Sequence, residues 1–192
     1  QCVRVVSKGS GMPQFFNDDA VIPALRNQKI RKEDAVDYAI VGCVELTTHG
    51  NNLGWSDAAM FNLLKVLELT LNDGVCLVTG EHMGLNLGNL TTYPSYEALE
   101  AAFEKQMDHY IDRMVRCCEV VEKAHQEVLP SPFLSTVIDD CMASAKDVTA
   151  GGALYNLSGI QIIQGANIAD SLAAVKKLVF DEQRVSKEKL LH

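Results

Sequence analysis

Apolar side chains recur in steps of three and four from Leu99 through Phe103, Met107, Tyr110, Met114, Cys117, Val121 and Ala124 to Val128. That is the spacing of one face of an α-helix, and it predicts a helix from Ser95 to about 128 whose Met and aromatic positions are core. Met60, Phe61, Leu63, Leu64, Val66, Leu67 and Leu69 leave only a narrow polar stripe of Asn62, Lys65 and Glu68. This second pattern predicts a helix to about 72, N-capped by Ser56, that needs cover on most sides. Shorter helices are expected over 19–28 behind an Asn17 or Asp18 cap, over 32–37, from Ser131-Pro132 to near 145, and over 165–180. Ser186 starts a last helical turn, cut off at His192. Short apolar runs at 3–6, 38–41, 75–79 and 154–164 read as strands, the second ending in glycine and buried. Residues 7–13, 46–55 and 81–92 are punctuated by glycine and read as loops. Strands therefore alternate with helices, the pattern of an α/β fold rich in helix.

Composition narrows the class. A chain of 192 residues with 47% hydrophobic and 22% charged content suits a globular body and would normally be one domain. Its 17 basic and 25 acidic residues give a net charge of −8, which argues against a nucleic-acid surface. No apolar run approaches the length needed to cross a bilayer. The start, Gln1-Cys2-Val3-Arg4, is neither an initiator Met nor a signal peptide and reads as mid-chain. The six cysteines, at 2, 43, 76, 117, 118 and 141, show neither Cys-x-x-Cys nor zinc spacing. Reduced thiols in a cytoplasmic protein are expected, with the Asn89 and Asn156 glycosylation matches as chance. Gly9-x-Gly11 lacks the third glycine and the preceding strand of a dinucleotide fingerprint.

The candidate chemistry sits in Val41-Gly42-Cys43-Val44-Glu45, with Asp57 downstream. In an extended segment, residues two apart point to the same side. Cys43 and Glu45 would then face one substrate, as a nucleophile or radical carrier beside a base. By itself Cys-x-Glu is a weak signal, and its plainer reading is a buried apolar cysteine followed by an unrelated surface carboxylate. An acidic residue at 57, read by itself, suits a first helical turn, where it favours the helix dipole. His49 is a lone loop histidine and receives no role.

Longer stretches carry a resemblance. Phe15-Phe16-Asn17-Asp18-Asp19, Ile22-Pro23-Ala24-Leu25 and Asp37-Tyr38-Ala39-Ile40-Val41-Gly42-Cys43-Val44-Glu45 resemble the active-site region of the glycyl radical enzymes, the pyruvate formate-lyase-like superfamily. So do Asp147-Val148-Thr149-Ala150-Gly151-Gly152-Ala153-Leu154-Tyr155-Asn156 and the run from Ala169-Asp170-Ser171 to Val179-Phe180. The matches come in family order across nearly the whole chain, and Gly54-Trp55-Ser56-Asp57 is similar to the glycerol and propanediol dehydratase pattern. The formate acetyltransferases carry two adjacent cysteines at the site. Here Val44 follows Cys43, and the Cys117-Cys118 pair lies in the helical pattern.

The resemblance implies part of a ten-stranded α/β barrel with the Cys43 loop (41–57) threaded into its centre. It implies a thiyl radical at Cys43, a base at Glu45 and a substrate-hydroxyl ligand at Asp57. It also implies a small polyol as substrate, a homodimeric complete enzyme, and a glycyl radical installed by a radical S-adenosylmethionine activating enzyme. An Arg-Val-x-Gly-Tyr radical loop does not occur in these 192 residues, so the chain alone is expected to be inert. Leu46 stands where many dehydratases have proline, and residues 47–53 match no subgroup pattern. A decarboxylase, a C–N-cleaving or formate acetyltransferase-like member, an inactive truncated chain or scaffold, and a conventional thiol enzyme with a histidine near Cys43 stay open as alternatives.

Overall fold

The computed structural model describes residues 1–53 and 55–191. In chain order its main elements are α1 (Cys2–Val5), α2 (Asp18–Asn27), α3 (Lys32–Val36), β1 (Tyr38–Val41), β2 (Glu45–Thr48), β3 (Trp55–Asn62), α4 (Leu63–Leu71) and α5 (Tyr96–Val128). They continue as α6 (Pro132–Ser135), α7 (Cys141–Ser144), β4 (Ser158–Ile163), α8 (Gly165–Val175) and α9 (Lys187–Leu191). Contacts divide the chain into two units, Gln1–Ser56 with Ser131–Leu157 and Asp57–Pro130 with Ser158–His192. The α/β character expected from the alternation is present. The described residues hold two two-stranded sheets, β1–β2 and β3–β4, and no ten-stranded barrel is visible among them.

In the first unit, residues 3–6 are helical and not a strand. Asn17 caps α2 as expected, its side-chain oxygen accepting from the Asp19 amide at 3.0 Å. Val21, Leu25, Ile30 and Ala35 form the core under α2 and α3, and Tyr38, Leu46, Tyr155 and Leu157 pack against it. Residues 46–55, expected as loop, begin with β2, which pairs antiparallel with β1. The helix expected up to 145 is broken between Ser135 and Cys141. Asp140 adopts a left-handed φ of 72°, which a continuous right-handed helix cannot include. The Asp139 amide turns aside to the Gly50 carbonyl at 2.8 Å.

The second unit corrects the helix expected from Ser56. Residues 55–62 form β3, laddered to β4, and α4 starts behind Asn62, whose side chain accepts from the Lys65 amide at 2.9 Å. The expected strand at 154–164 is shorter, as β4. Residues 75–79, also expected as a strand, are turns between Gly74 and Gly80, both at positive φ. One isolated bridge, Val75 to His82, is all the strand pairing described there.

Helix α5 runs as its periodicity predicts, with the Ser95 hydroxyl accepting from the Ala98 amide at 3.3 Å. Leu99, Ala102 and Gln106 are buried, and Leu99 joins Leu90, Tyr93, Val175 and Val179 in the core. The expectation of core positions along the whole stripe holds only at this N-terminal end, because Val121 and Val128 are exposed in the chain. Expected helix 165–180 is α8 followed by a looser turn, Lys176–Asp181. The Phe180 ring meets Tyr96 edge-on at 6.1 Å. Helix α9 supplies the last turn expected after Ser186, and His192 lies outside the described residues. Among the described residues no helix is long and apolar enough to cross a membrane.

Candidate active site

Cys43 stands at the apex of the β1–β2 hairpin. The register pairs Tyr38 with Thr48, Ala39 with Thr47, Ile40 with Leu46 and Val41 with Glu45, leaving Gly42, Cys43 and Val44 as the connection. Gly42 makes the turn possible with φ of 59°, a region glycine enters without steric cost. The chain therefore reverses between Cys43 and Glu45. They are not residues two apart on one straight strand, and the same-side argument from the extended segment does not apply at the apex.

The two residues meet nonetheless. Glu45 folds its carboxylate back over the turn, and its Oε2 accepts from the Cys43 amide and from the Val44 amide, each at 2.8 Å. Amide donors stabilise the charged form of a carboxylate. Cys43 itself is exposed at the tip. The arrangement thus presents a free thiol to solvent and fixes a carboxylate to the backbone of the thiol-bearing residue.

The base of the hairpin is held by the first unit's core. Tyr38 and Leu46 pack against Val21, Leu25, Ile30 and Ala35. The Tyr38 hydroxyl donates to Asp18 Oδ1 at 2.9 Å, and that hydrogen bond to a carboxylate raises the phenol above its ordinary pKa. At the open end, His49 Nε2 lies 3.0 Å from Asp37 Oδ2, both side chains being exposed. His49 thus closes the hairpin's base and receives no role at the apex.

The stretch around Asp147–Asn156 is a second organised loop of this unit. Both carboxylate oxygens of Asp147 accept from the Ser131 amide, at 3.1 and 3.0 Å. Oδ2 also takes the Ser135 hydroxyl at 2.9 Å, and Oδ1 takes the Thr149 amide at 2.9 Å and its hydroxyl at 2.7 Å. The Thr149 hydroxyl, with the Ser131 and Thr149 amides and Ser135 behind it, holds the carboxyl down to about 2 against the opposing effect of burial. The Tyr155 hydroxyl donates to Asp34 Oδ2 at 2.6 Å and accepts from the Arg31 amide at 3.1 Å, tying this loop to α3. The Tyr155 hydroxyl first, and next the Arg31 Nε that donates to the same Oδ2 at 2.8 Å, lower the Asp34 pKa. Sequence reasoning marked this stretch as a motif but assigned none of these jobs.

Asp57 belongs to the second unit, where it is exposed on β3. Because the helix begins only at Leu63, Asp57 is not in a first helical turn, and the helix-dipole reading of it is withdrawn. Gly54, which completes the Gly-Trp-Ser-Asp pattern, lies outside the described residues. Sequence reasoning also passed over Cys76 in this unit. It is buried, and its sulfur lies 3.4 Å from Lys65 Nζ. Hydrogen bonds from the Thr79 side chain and the Thr79 and Val78 backbone, with Lys65 adding to them, lower the thiol to about 7. A cavity of about 490 Å³ in the same unit is lined by Lys65, Glu68, Leu71, Gln164, Val175 and Leu191 among others, and Cys43, Glu45 and Asp57 do not line it. Among the described residues no group of three His, Cys, Asp or Glu side chains is placed to hold a metal ion.

Comparison with known proteins covers the whole chain. The family described as pyruvate formate lyase-like matches residues 1–192. The (2S)-3-sulfopropanediol dehydratase of Klebsiella oxytoca is 41% identical over 191 residues, covering 100% of this chain and 23% of that protein. The trans-4-hydroxy-L-proline dehydratase of Clostridioides difficile is 36% identical over 188 residues, covering 98% of this chain and 24% of that protein. The glycerol-bound B12-independent glycerol dehydratase from Clostridium butyricum superposes with a TM-score of 0.87 at 39% identity, covering 98% of this chain and 24% of that one. The chain thus spans about a quarter of the length of the curated relatives it matches.

Proposed function

The chain belongs to the pyruvate formate lyase-like family, and on that premise we propose that it is the thiol-bearing part of a glycyl radical lyase that dehydrates a small polyol. The observation that carries the reading is the hairpin apex, where the Glu45 carboxylate sits on the amide of Cys43 at 2.8 Å. The similarity to dehydratases of a sulfonated diol and of glycerol supports the same class of substrate. In this reading the chain is part of the ten-stranded α/β barrel of a full-length enzyme, and that enzyme is a homodimer.

The stored glycyl radical is placed on a segment outside these 192 residues and is installed by a radical S-adenosylmethionine activating enzyme. Hydrogen-atom exchange with such a group needs a dry thiol, and Cys43 is exposed at its turn in this chain, so in this reading the rest of the full-length enzyme covers it. When present, the glycyl radical supplies the one-electron vacancy at sulfur. From there the chain's own residues do the work. The Cys43 thiyl takes a hydrogen atom from a substrate carbon that bears a hydroxyl, forming S–H and leaving a carbon radical. That radical makes its hydroxyl far more acidic, and Glu45 accepts the proton. The adjacent C–O bond breaks, and the departing hydroxide combines with that proton as water. The carbonyl-bearing radical takes the hydrogen atom back from Cys43, giving the aldehyde and restoring the thiyl. The resemblance of Gly54-Trp55-Ser56-Asp57 to the dehydratase pattern supports Asp57 as a ligand of substrate hydroxyls.

The test uses the full-length protein, activated anaerobically, offered propane-1,2-diol, glycerol and (2S)-3-sulfopropanediol, with aldehyde as the readout and Cys43→Ala as control. Aldehyde that disappears in Cys43→Ala is the expected result, and turnover retained without the thiol refutes the thiyl role. A cyclic hydroxylated amino acid is the second reading, favoured by the relative that is 36% identical. Dehydration of trans-4-hydroxy-L-proline with no aldehyde from the diols decides for it.

A further inference from the structure

The Glu45 carboxylate lies where a side chain at position 42 would have to start. A Cβ built on Gly42 would fall 2.8 Å from Glu45 Oε2, 3.2 Å from Oε1 and 3.3 Å from Cδ. Approaches below 3 Å are not tolerated, so one of the two groups has to move. The nearest atoms are the far end of a rotatable side chain, not backbone, so the carboxylate is the part that yields. Gly42 also holds φ of 59°, so two separate demands fall on one residue. One is a left-handed turn, which asparagine also tolerates. The other is empty space on the face that carries Glu45, which only glycine leaves.

We infer that Gly42 is a positioning residue for the reaction, its missing Cβ being what lets the Glu45 carboxylate seat on the Cys43 and Val44 amides. This inference rests on the reading of Glu45 as the base. The physical consequence is a fixed base. With both amides donating to Oε2 at 2.8 Å, the carboxylate is tied to the same three-residue turn that carries the sulfur. Its distance from the reacting thiol is then set by the turn and not by a free side chain with several rotatable bonds. A displacement of about 1 Å in a reacting group is enough to cost on the order of a hundredfold in rate.

The experiment uses the full-length, anaerobically activated enzyme and two readouts. Residue-resolved hydrogen exchange at the Cys43 and Val44 amides is compared in the wild type, Glu45→Ala and Gly42→Ala. Gly42→Ala is expected to speed exchange at both amides to the level of Glu45→Ala while the glycyl radical signal is still installed. Gly42→Asn, which enters the left-handed region more readily but carries the same Cβ, is expected to do the same, and it keeps the test open if the alanine variant folds poorly. Amides that stay protected in both Gly42 variants overturn the inference.

The second readout is a double-mutant cycle on turnover. Gly42→Ala is expected to lower kcat at least tenfold with KM nearly unchanged. Its further cost is expected to be small in a Glu45→Asp background, where the shorter side chain withdraws the carboxylate from the new Cβ. An equal fold-loss in both backgrounds means backbone strain alone and overturns the inference. Failure of the underlying reading looks different: Glu45→Gln would then turn over normally, whatever the exchange data show.

Discussion

Replacing Asp147 by asparagine tests the loop that carries the Asp147–Asn156 motif. The substitution keeps an acceptor at Oδ1 but turns the Oδ2 position into an NH2 donor facing the Ser131 amide and the Ser135 hydroxyl, both donors at 3.0 and 2.9 Å. The magnitude follows from linkage. A carboxyl at 3.8 unfolded and about 2 folded is stabilised by roughly 1.8 pH units, about 2.4 kcal/mol before solvent screening. Screening of this partly exposed group reduces the expectation to about 1–2 kcal/mol at pH 7. The folded pKa is the lower one, so the contribution is complete above about pH 4 and is lost as pH falls through about 2. At pH 3 roughly half of it remains. The assay is urea unfolding of wild type and Asp147→Asn at pH 7, 4 and 3, with hydrogen exchange at the Ser131, Val148 and Thr149 amides to localise the change. A gap between the two proteins that narrows from pH 4 to pH 3 is the expected outcome. Equal midpoints at pH 7, or a gap that widens on acidification, would refute the reasoning.

Gly152→Ala places a Cβ into the Lys146 carbonyl and 2.9 Å from the Asp147 carbonyl oxygen, both backbone, so thermal melts are expected to show a loss of about 1–3 kcal/mol. Leu99→Ala empties a fully buried site in the second unit's core and is expected to cost about 2–5 kcal/mol by denaturant titration. Glu45→Gln removes the base without removing the thiol. Spectroscopy is expected to show the radical installed while aldehyde formation falls by about 10²–10⁴-fold, and product formed at the normal rate would remove Glu45 from that role.

What the sequence displayed was local. Helix α5 was legible because one period persists over its whole length, and α2 because Asn17 is both a capping residue type and the observed cap. Residues 55–62 misled for the opposite reason. Ala58, Ala59 and Met60 favour helix, and Ser56 is as good a cap as Asn62. The partner that makes them a strand, β4, lies about a hundred residues on, and no local pattern announces it. Residues 75–79 failed through turn chemistry, since glycines at 74 and 80, both at positive φ, turn the chain at either end and only Val75 keeps a bridge, to His82.

The candidate site divides along the same line. Cys43 and Glu45 were legible as residue types and as neighbours, because two positions apart in sequence they could not be far apart in space. Their relation was misjudged, since an apex reverses the side-to-side alternation that an extended strand keeps. The apex survives that error because the glutamate side chain is long enough to reach back to the amides of the turn. Asp147 and Tyr155 show the limit from the other direction. The Tyr155 hydroxyl meets Asp34 across 121 positions, so the motif's letters were visible while the reason for them was not. Gly42 falls between the cases. A glycine beside a cysteine announces a turn, but the space it leaves has meaning only once the carboxylate is seen lying in it.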